Sequence, residues 1–188
     1  MEEGQQNVFL TFDDGPVPGV TDYVLDALGS KDMKATFFMV GDNIKKYPDL
    51  AKRVMEEGHS IGNHTFNHLN GWKTRLEDYI DNVNRCNAII AETLGFAPQL
   101  FRPPYGLLTT GQAKKVLESL DIVMWNVLSG DYQKGISSQQ VFNKTCKYSR
   151  SGSIVLFHDQ QKTKDIIPKV LPDYLAFLES RNLKSRSL

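Results

Sequence analysis

Apolar positions along this chain follow two alternating rhythms. Short runs with strand character, Val8–Phe12, Ala35–Val40, His59–Ile61, Leu100–Phe101, Ile122–Val127 and Ser153–Phe157, are separated by stretches whose apolar residues recur every three or four positions. One such stretch covers Thr21–Leu28 and closes at Gly29. Another carries Pro48 in its first turn, turns Leu50 and Val54 inward and stops at Gly58. The clearest opens with Thr74 and Glu77 spaced as a capping box, repeats Leu76, Ile80, Val83, Ile90 and Leu94 on one face, and ends at Gly95. Further helices are expected over Thr109–Leu120, from Ser137 with Gln140 as a second capping pair, and over Ile166–Ser180, with a weak last strand after Asn182. No repeat or linker interrupts the pattern, so residues 1–188 read as one domain. Strand–helix alternation predicts parallel β/α architecture, either a barrel or an open sheet.

Composition narrows the partners more than the fold. Hydrophobic residues make up 40% and charged residues 23%, which excludes a disordered or fibrous chain. Lys and Arg number 22 against 22 Asp and Glu, so no basic surplus exists to neutralise a phosphate backbone or grip an anionic membrane. No apolar run approaches the ~20 residues that cross a bilayer, so membrane insertion is not expected. The polar start, Met1 to Asn7, has neither the basic nor the apolar region of a leader. The expectation is a cytoplasmic protein, or an exported one represented without its leader. Cys86 and Cys146 fall in predicted helices at no metal-like spacing and are expected to be buried, inert thiols, with nothing to support a disulfide.

The unusual polar residues share one address. Asp13 and Asp14 follow the first strand, His64 and His68 the third, Arg102 the fourth, Asp131 the fifth and His158 the sixth. In parallel β/α folds the carboxyl ends of the strands lie on one face, and that face carries the active site. Taken singly, each residue has a bland reading: a polar turn for the aspartates, a surface arginine, a loop cap for Asp131, a core histidine for His158. Their joint placement does not. His64 and His68, two of four histidines in the chain, are spaced so that on a helix both imidazoles reach one metal. With one neighbouring carboxylate they form an open metal-binding set that leaves room for water. Adjacent strand residues point to opposite faces, so Asp13 and Asp14 divide as one metal ligand and one base, in an order the spacing leaves open. His59 lies inside its predicted strand and reads as structural, and Trp125 reads as core.

Four segments carry a resemblance. Thr11-Phe12-Asp13-Asp14-Gly15-Pro16, His64-Thr65-Phe66-Asn67-His68, Arg102-Pro103-Pro104-Tyr105-Gly106 and Leu156-Phe157-His158 are similar to the first, second, third and fifth motifs of the NodB-homology polysaccharide deacetylases, carbohydrate esterase family 4. The chain resembles that family from about Val8 to its C-terminus. The fourth motif departs: an acidic-x-x-Asp-Trp arrangement is usual, and here Leu128-Ser129-Gly130-Asp131-Tyr132 keeps the aspartate but alters the groove wall.

The resemblance implies a distorted, incomplete (β/α) barrel and a metal-dependent hydrolase that removes N-acetyl groups from amino-sugar glycans such as peptidoglycan or chitin. It implies that Asp14, His64 and His68 bind a divalent metal ion, zinc or cobalt, and that Asp13 is the catalytic base, kept ionised and oriented by Arg102. His158 would be the general acid with Asp131 tuning it, and Tyr105 would offer its backbone N–H to the oxyanion. Tyr132, Trp72 and Tyr105, on predicted loops, suit either sugar stacking or packing. The competing readings are an O-acetyl esterase acting on xylan-like glycans and a catalytically silent glycan-binding module. A structural zinc domain would close its site with four protein ligands, often cysteines, and fits less well.

Overall fold

The computed structural model describes residues 6–188. The first five positions of the expected domain, and with them most of the polar start, lie outside the described residues. Eight strands form one sheet: β1 (Gln6–Asp13), β2 (Ala35–Met39), β3 (Ser60–Asn63), β4 (Leu100–Phe101), β5 (Asp121–Ile122), β6 (Val127–Leu128), β7 (Ile154–His158) and β8 (Leu183–Ser185). Their order is β5-β4-β3-β2-β1-β7-β6, with β8 beside β1, and the pairings are parallel. Among the described residues, seven helices cover the outside: α1 (Thr21–Gly29), α2 (Gly41–Lys46), α3 (Pro48–Glu56), α4 (Leu76–Leu94), α5 (Thr110–Val116), α6 (Ser138–Tyr148) and α7 (Ile167–Ser180). The result is a distorted, incomplete (β/α) barrel.

Alternation along the central strand separates core from site. Val8, Leu10 and Phe12 point toward the helices and are fully buried. The Phe12 ring stacks between Phe37 of β2 at 5.2 Å and Phe157 of β7 at 6.0 Å, and Phe157 meets Tyr174 of α7 at 5.5 Å. Burial of each such side chain stabilises the fold by about 1.5–3 kcal/mol. The alternate residues, Thr11 and Asp13, point into the barrel. There the apolar filling gives way to a buried polar cluster around Arg102.

Three local differences from the sequence reading have physical causes. The run Ile122–Val127 is not one strand. Its ends pair with β4 on one side and β7 on the other, and the sheet stays open between β5 and β6. Thr74 does not cap α4. Its hydroxyl donates to the Asn70 carbonyl at 2.8 Å, closing a short turn over Gly71–Lys73, and the cap position falls to Arg75 without a side-chain hydrogen bond. The expected capping box of Ser137 and Gln140 is present, and Thr109 and Gln112 form another at the start of α5. Both cysteines are free thiols: Cys86 is buried, while Cys146 is only partly so. Burial pushes the Cys86 thiol up to about 12, which keeps it inert.

Candidate active site

Strand register assembles the site. Asp13 ends β1 directly opposite His158, the last residue of β7. His64 follows β3 and Arg102 follows β4, whose own register pairs Asn63 with Phe101. The side chains open into a cleft of about 550 Å³ bordered by Asp13, Asp14, His64, His68, Tyr105 and His158. Asp13 and Asp14 share this cleft despite being neighbours in sequence. Asp14 lies just past the strand with φ 81°, and this left-handed kink breaks the alternation that would have sent one carboxylate to the other face. His64 and His68 converge by a similar device rather than by helical spacing. No helix covers them; left-handed residues at Thr65 (φ 62°) and His68 (φ 54°) curl the loop back instead.

The donor set fits a cation. One ligand atom each from Asp14, His64 and His68 lie within 4.8 Å of one another. His64 Nδ1 is 2.7 Å from the Arg102 carbonyl, which can only accept, so Nδ1 carries a proton and Nε2 turns inward. That nitrogen faces Asp14 Oδ1 at 3.4 Å and Asp13 Oδ2 at 3.8 Å. His68 Nε2 lies 2.9 Å from the same Asp14 oxygen. Asp14 Oδ1 is buried and has no hydrogen-bond partner. Electron-rich atoms gathered around an unsatisfied carboxylate oxygen are what a divalent cation would reconcile. Burial raises the Asp14 carboxyl, but the two imidazoles outweigh it and hold the group well below the usual carboxylate range.

Two charge pairs flank this set. Arg102 is fully buried: its Nη1 donates to Asp13 Oδ1 at 2.8 Å and to Thr11 Oγ1 at 2.6 Å, and its guanidinium lies 4.1 Å from the Phe38 ring centroid. Across the cleft, Asp131 receives the His158 backbone N–H on Oδ2 and lies 2.8 Å from His158 Nδ1 through Oδ1, which also accepts from Ser129. Burial pulls the His158 imidazole down, but the hydrogen bond and charge of Asp131, with Asp13 and Asp14 behind it, push it up to about 9. Tyr132 sits edge-on to His158 at 5.0 Å, so the residue replacing the usual tryptophan still forms the wall beside it. Tyr105 packs edge-on against His68 at 4.7 Å and has φ 61°, so the loop after β4 turns sharply at this residue.

Comparison with known proteins supplies the family. The polysaccharide deacetylase family model matches residues 1–125 of the 188. The chain belongs to the polysaccharide deacetylase family. A peptidoglycan-N-acetylglucosamine deacetylase of Bacillus cereus is 38% identical over 171 residues, covering 88% of this chain and 62% of the relative. The Listeria monocytogenes peptidoglycan-N-acetylglucosamine deacetylase PgdA is 35% identical over 158 residues, covering 84% of this chain and 33% of its own. The chain thus spans less than two thirds of these relatives' lengths. Among solved structures, the peptidoglycan deacetylase PdaC of Bacillus subtilis superposes with a TM-score of 0.90 at 26% identity, covering 100% of this chain and 90% of that one.

In this family member all eight residues singled out from sequence lie on the carboxyl face of the sheet, and four further contributors emerge. Asn43, in the first turn of α2, donates through Nδ2 to the Asp14 carbonyl at 2.7 Å. Asp159 accepts the Gly15 N–H at 3.1 Å on Oδ1 and the Thr21 hydroxyl at 2.6 Å on Oδ2. The Asp14–Gly15 peptide is therefore gripped at both its oxygen and its nitrogen. A Cβ on Gly15 would stand 2.0 Å from Asp159 Oδ2, so only glycine fits there. Ser129 supports Asp131, and Trp125 is half-buried and lines the cleft instead of filling the core. Asp159 had a signal in its adjacency to His158; Asn43 had none, because its partner is 29 residues away. His59 is structural as expected: its Nδ1 accepts the Ala35 N–H, and burial lowers it to about 4.

Proposed function

We propose that this chain is a metal-dependent hydrolase that removes N-acetyl groups from amino-sugar glycans of the peptidoglycan or chitin type, and that residues 1–188 are one deacetylase domain. The observation that carries the reading is the arrangement around the cleft: a carboxylate fixed by a buried arginine and an imidazole backed by a buried carboxylate, on either side of an unsatisfied Asp-His-His set. Pairing of β8 with β1 supports the single-domain reading. Asp14, His64 and His68 would hold the ion, zinc or cobalt, whose chemistry when bound is to acidify water and polarise a carbonyl oxygen.

The chain's own groups then divide the proton transfers. Asp13, held by Arg102, accepts a proton from the attacking water. The Tyr105 backbone N–H donates to the developing oxyanion, and one such donor is typically worth about 3 kcal/mol. His158 donates a proton to the departing nitrogen, and acid–base help of this kind is worth roughly 10²–10⁴ in rate. An amine is a poor leaving group without that proton, whereas an alcohol needs it less. The support that Asp131 gives His158 therefore favours amide over ester hydrolysis. The glycan-binding alternative calls for no such acid.

Acetate release from N-acetylglucosamine oligomers, peptidoglycan and acetylated xylan, with and without chelator, tests the reading. Release from the N-acetylated glycans that chelation abolishes is the expected result. Release from xylan alone, or from none of the panel, would refute it.

A further inference from the structure

Trp72 is the most exposed large apolar side chain among the described residues, at 68%, and Tyr105 follows at 61%. They stand on adjoining loops, between β3 and α4 and between β4 and α5. The Trp72 indole is held in place: its Nε1–H donates to the Leu108 carbonyl at 3.1 Å, and its backbone N–H to Asn70 Oδ1 at 3.0 Å. Beneath it, the fully buried Gln112 amide donates to the carbonyls of Gly71 at 2.9 Å and Thr74 at 3.0 Å. Gly71 is pressed so close that a Cβ there would lie 2.4 Å from the Leu107 carbonyl. Buried polar groups are thus committed to a turn whose outward feature is an indole in water.

The loop that holds the indole also borders the cleft. Tyr105 touches His68, and a Cβ on the adjacent Gly106 would stand 2.9 Å from the Trp125 ring in the cleft wall. Leu108, whose carbonyl takes the Trp72 indole N–H, lies three residues beyond Tyr105 on that same loop. The only donor on the Trp72 indole is already used, so what it offers a partner is a flat apolar face. The C–H face of a pyranose ring matches that chemistry. A polymer with one sugar in the cleft has further sugars that must leave it.

We propose that Trp72 is a stacking platform for the part of the glycan strand outside the cleft, reached past Tyr105, and that it makes the chain favour polymers over short fragments. This rests on the deacetylase reading above. Acetate release from the dimer and the hexamer of N-acetylglucosamine should be compared for the wild-type chain, Trp72→Ala and Trp72→Phe. Trp72→Ala should lower kcat/KM on the hexamer by about ten-fold, through KM, and lower it far less on the dimer, with Trp72→Phe restoring most of the loss. An equal fall on both substrates, or none on the hexamer, overturns the platform.

If the wild-type chain releases acetate from neither, the deacetylase reading fails and binding decides the platform separately. The chain has two tryptophans, so a fluorescence change that the wild type shows and Trp72→Phe lacks reports Trp72. A saturable blue shift with the hexamer that Trp72→Phe loses supports the platform, and an unmoved wild-type spectrum, or a shift that Trp72→Phe keeps, overturns it. A dimer in sedimentation that Trp72→Ala abolishes would give this face to a second copy of the chain and overturn it as well.

Discussion

His158 is positioned to give up a proton only while it carries one, and Asp131 sets the range over which it does. With the imidazole at about 9, the protonated form persists through neutral pH and is lost as pH rises through that value. Turnover should therefore fall on the alkaline side near pH 9. Asp131→Asn removes the negative charge that outweighs burial, so the alkaline limb should move to lower pH, while metal content stays unchanged; a limb that stays in place would remove Asp131 from the role. A second residue-scale prediction concerns the grip on the Asp14–Gly15 peptide. Asn43→Ala releases the Asp14 carbonyl, and with it the direction of the carboxylate beyond the φ 81° kink. Zinc affinity, measured by competition with a chromophoric chelator, should fall about 10-fold, as is usual when a partner that orients a ligand is removed. Unchanged affinity would show that Asn43 does not set this ligand.

Among the elements, the seam between β5 and β6 matters most, because Arg102 spans it. Besides Asp13 and Thr11, the guanidinium donates from Nε to the Val123 carbonyl at 3.1 Å and from Nη2 to the Met124 carbonyl at 3.2 Å. A lysine has three donors on one atom and cannot reach all four acceptors. Arg102→Lys should cost about 3 kcal/mol in urea unfolding, together with most of the activity. A loss within about 0.5 kcal/mol, the range of an ordinary surface substitution, would show that the seam closes without it. The same seam marks where the sequence was legible and where it was not. Strand ends and the aspartates, histidines and arginine beyond them could be read, because each depends on local periodicity and the parallel rule. The apolar run Ile122–Val127 could not be resolved into two strands, since what divides it is a side chain some twenty positions earlier taking its carbonyls. The cap at Thr74 failed for a related reason: its hydroxyl had a competing acceptor at Asn70. The convergence of His64 and His68 was foreseen, though by a helical route that the left-handed loop replaces.

At the scale of the molecule, the proposed metal-binding set ties together segments that the chain keeps far apart. Asp14 follows the central strand, while His64 and His68 belong to the loop after β3, and neither segment holds its ligands in place once the sheet is lost. An ion that binds the folded chain and not the unfolded one stabilises by mass action, about 2.7 kcal/mol at a hundred-fold excess over Kd. For a domain of this size that corresponds to a rise in Tm on the order of 5–10 °C. Zinc added to chelator-stripped protein should produce that rise in a calorimetric scan. Asp14→Ala removes one ligand, so zinc should no longer move that variant's Tm. An Asp14→Ala chain that still responds fully to zinc would place the cation elsewhere and leave the convergence of these three residues without a chemical purpose.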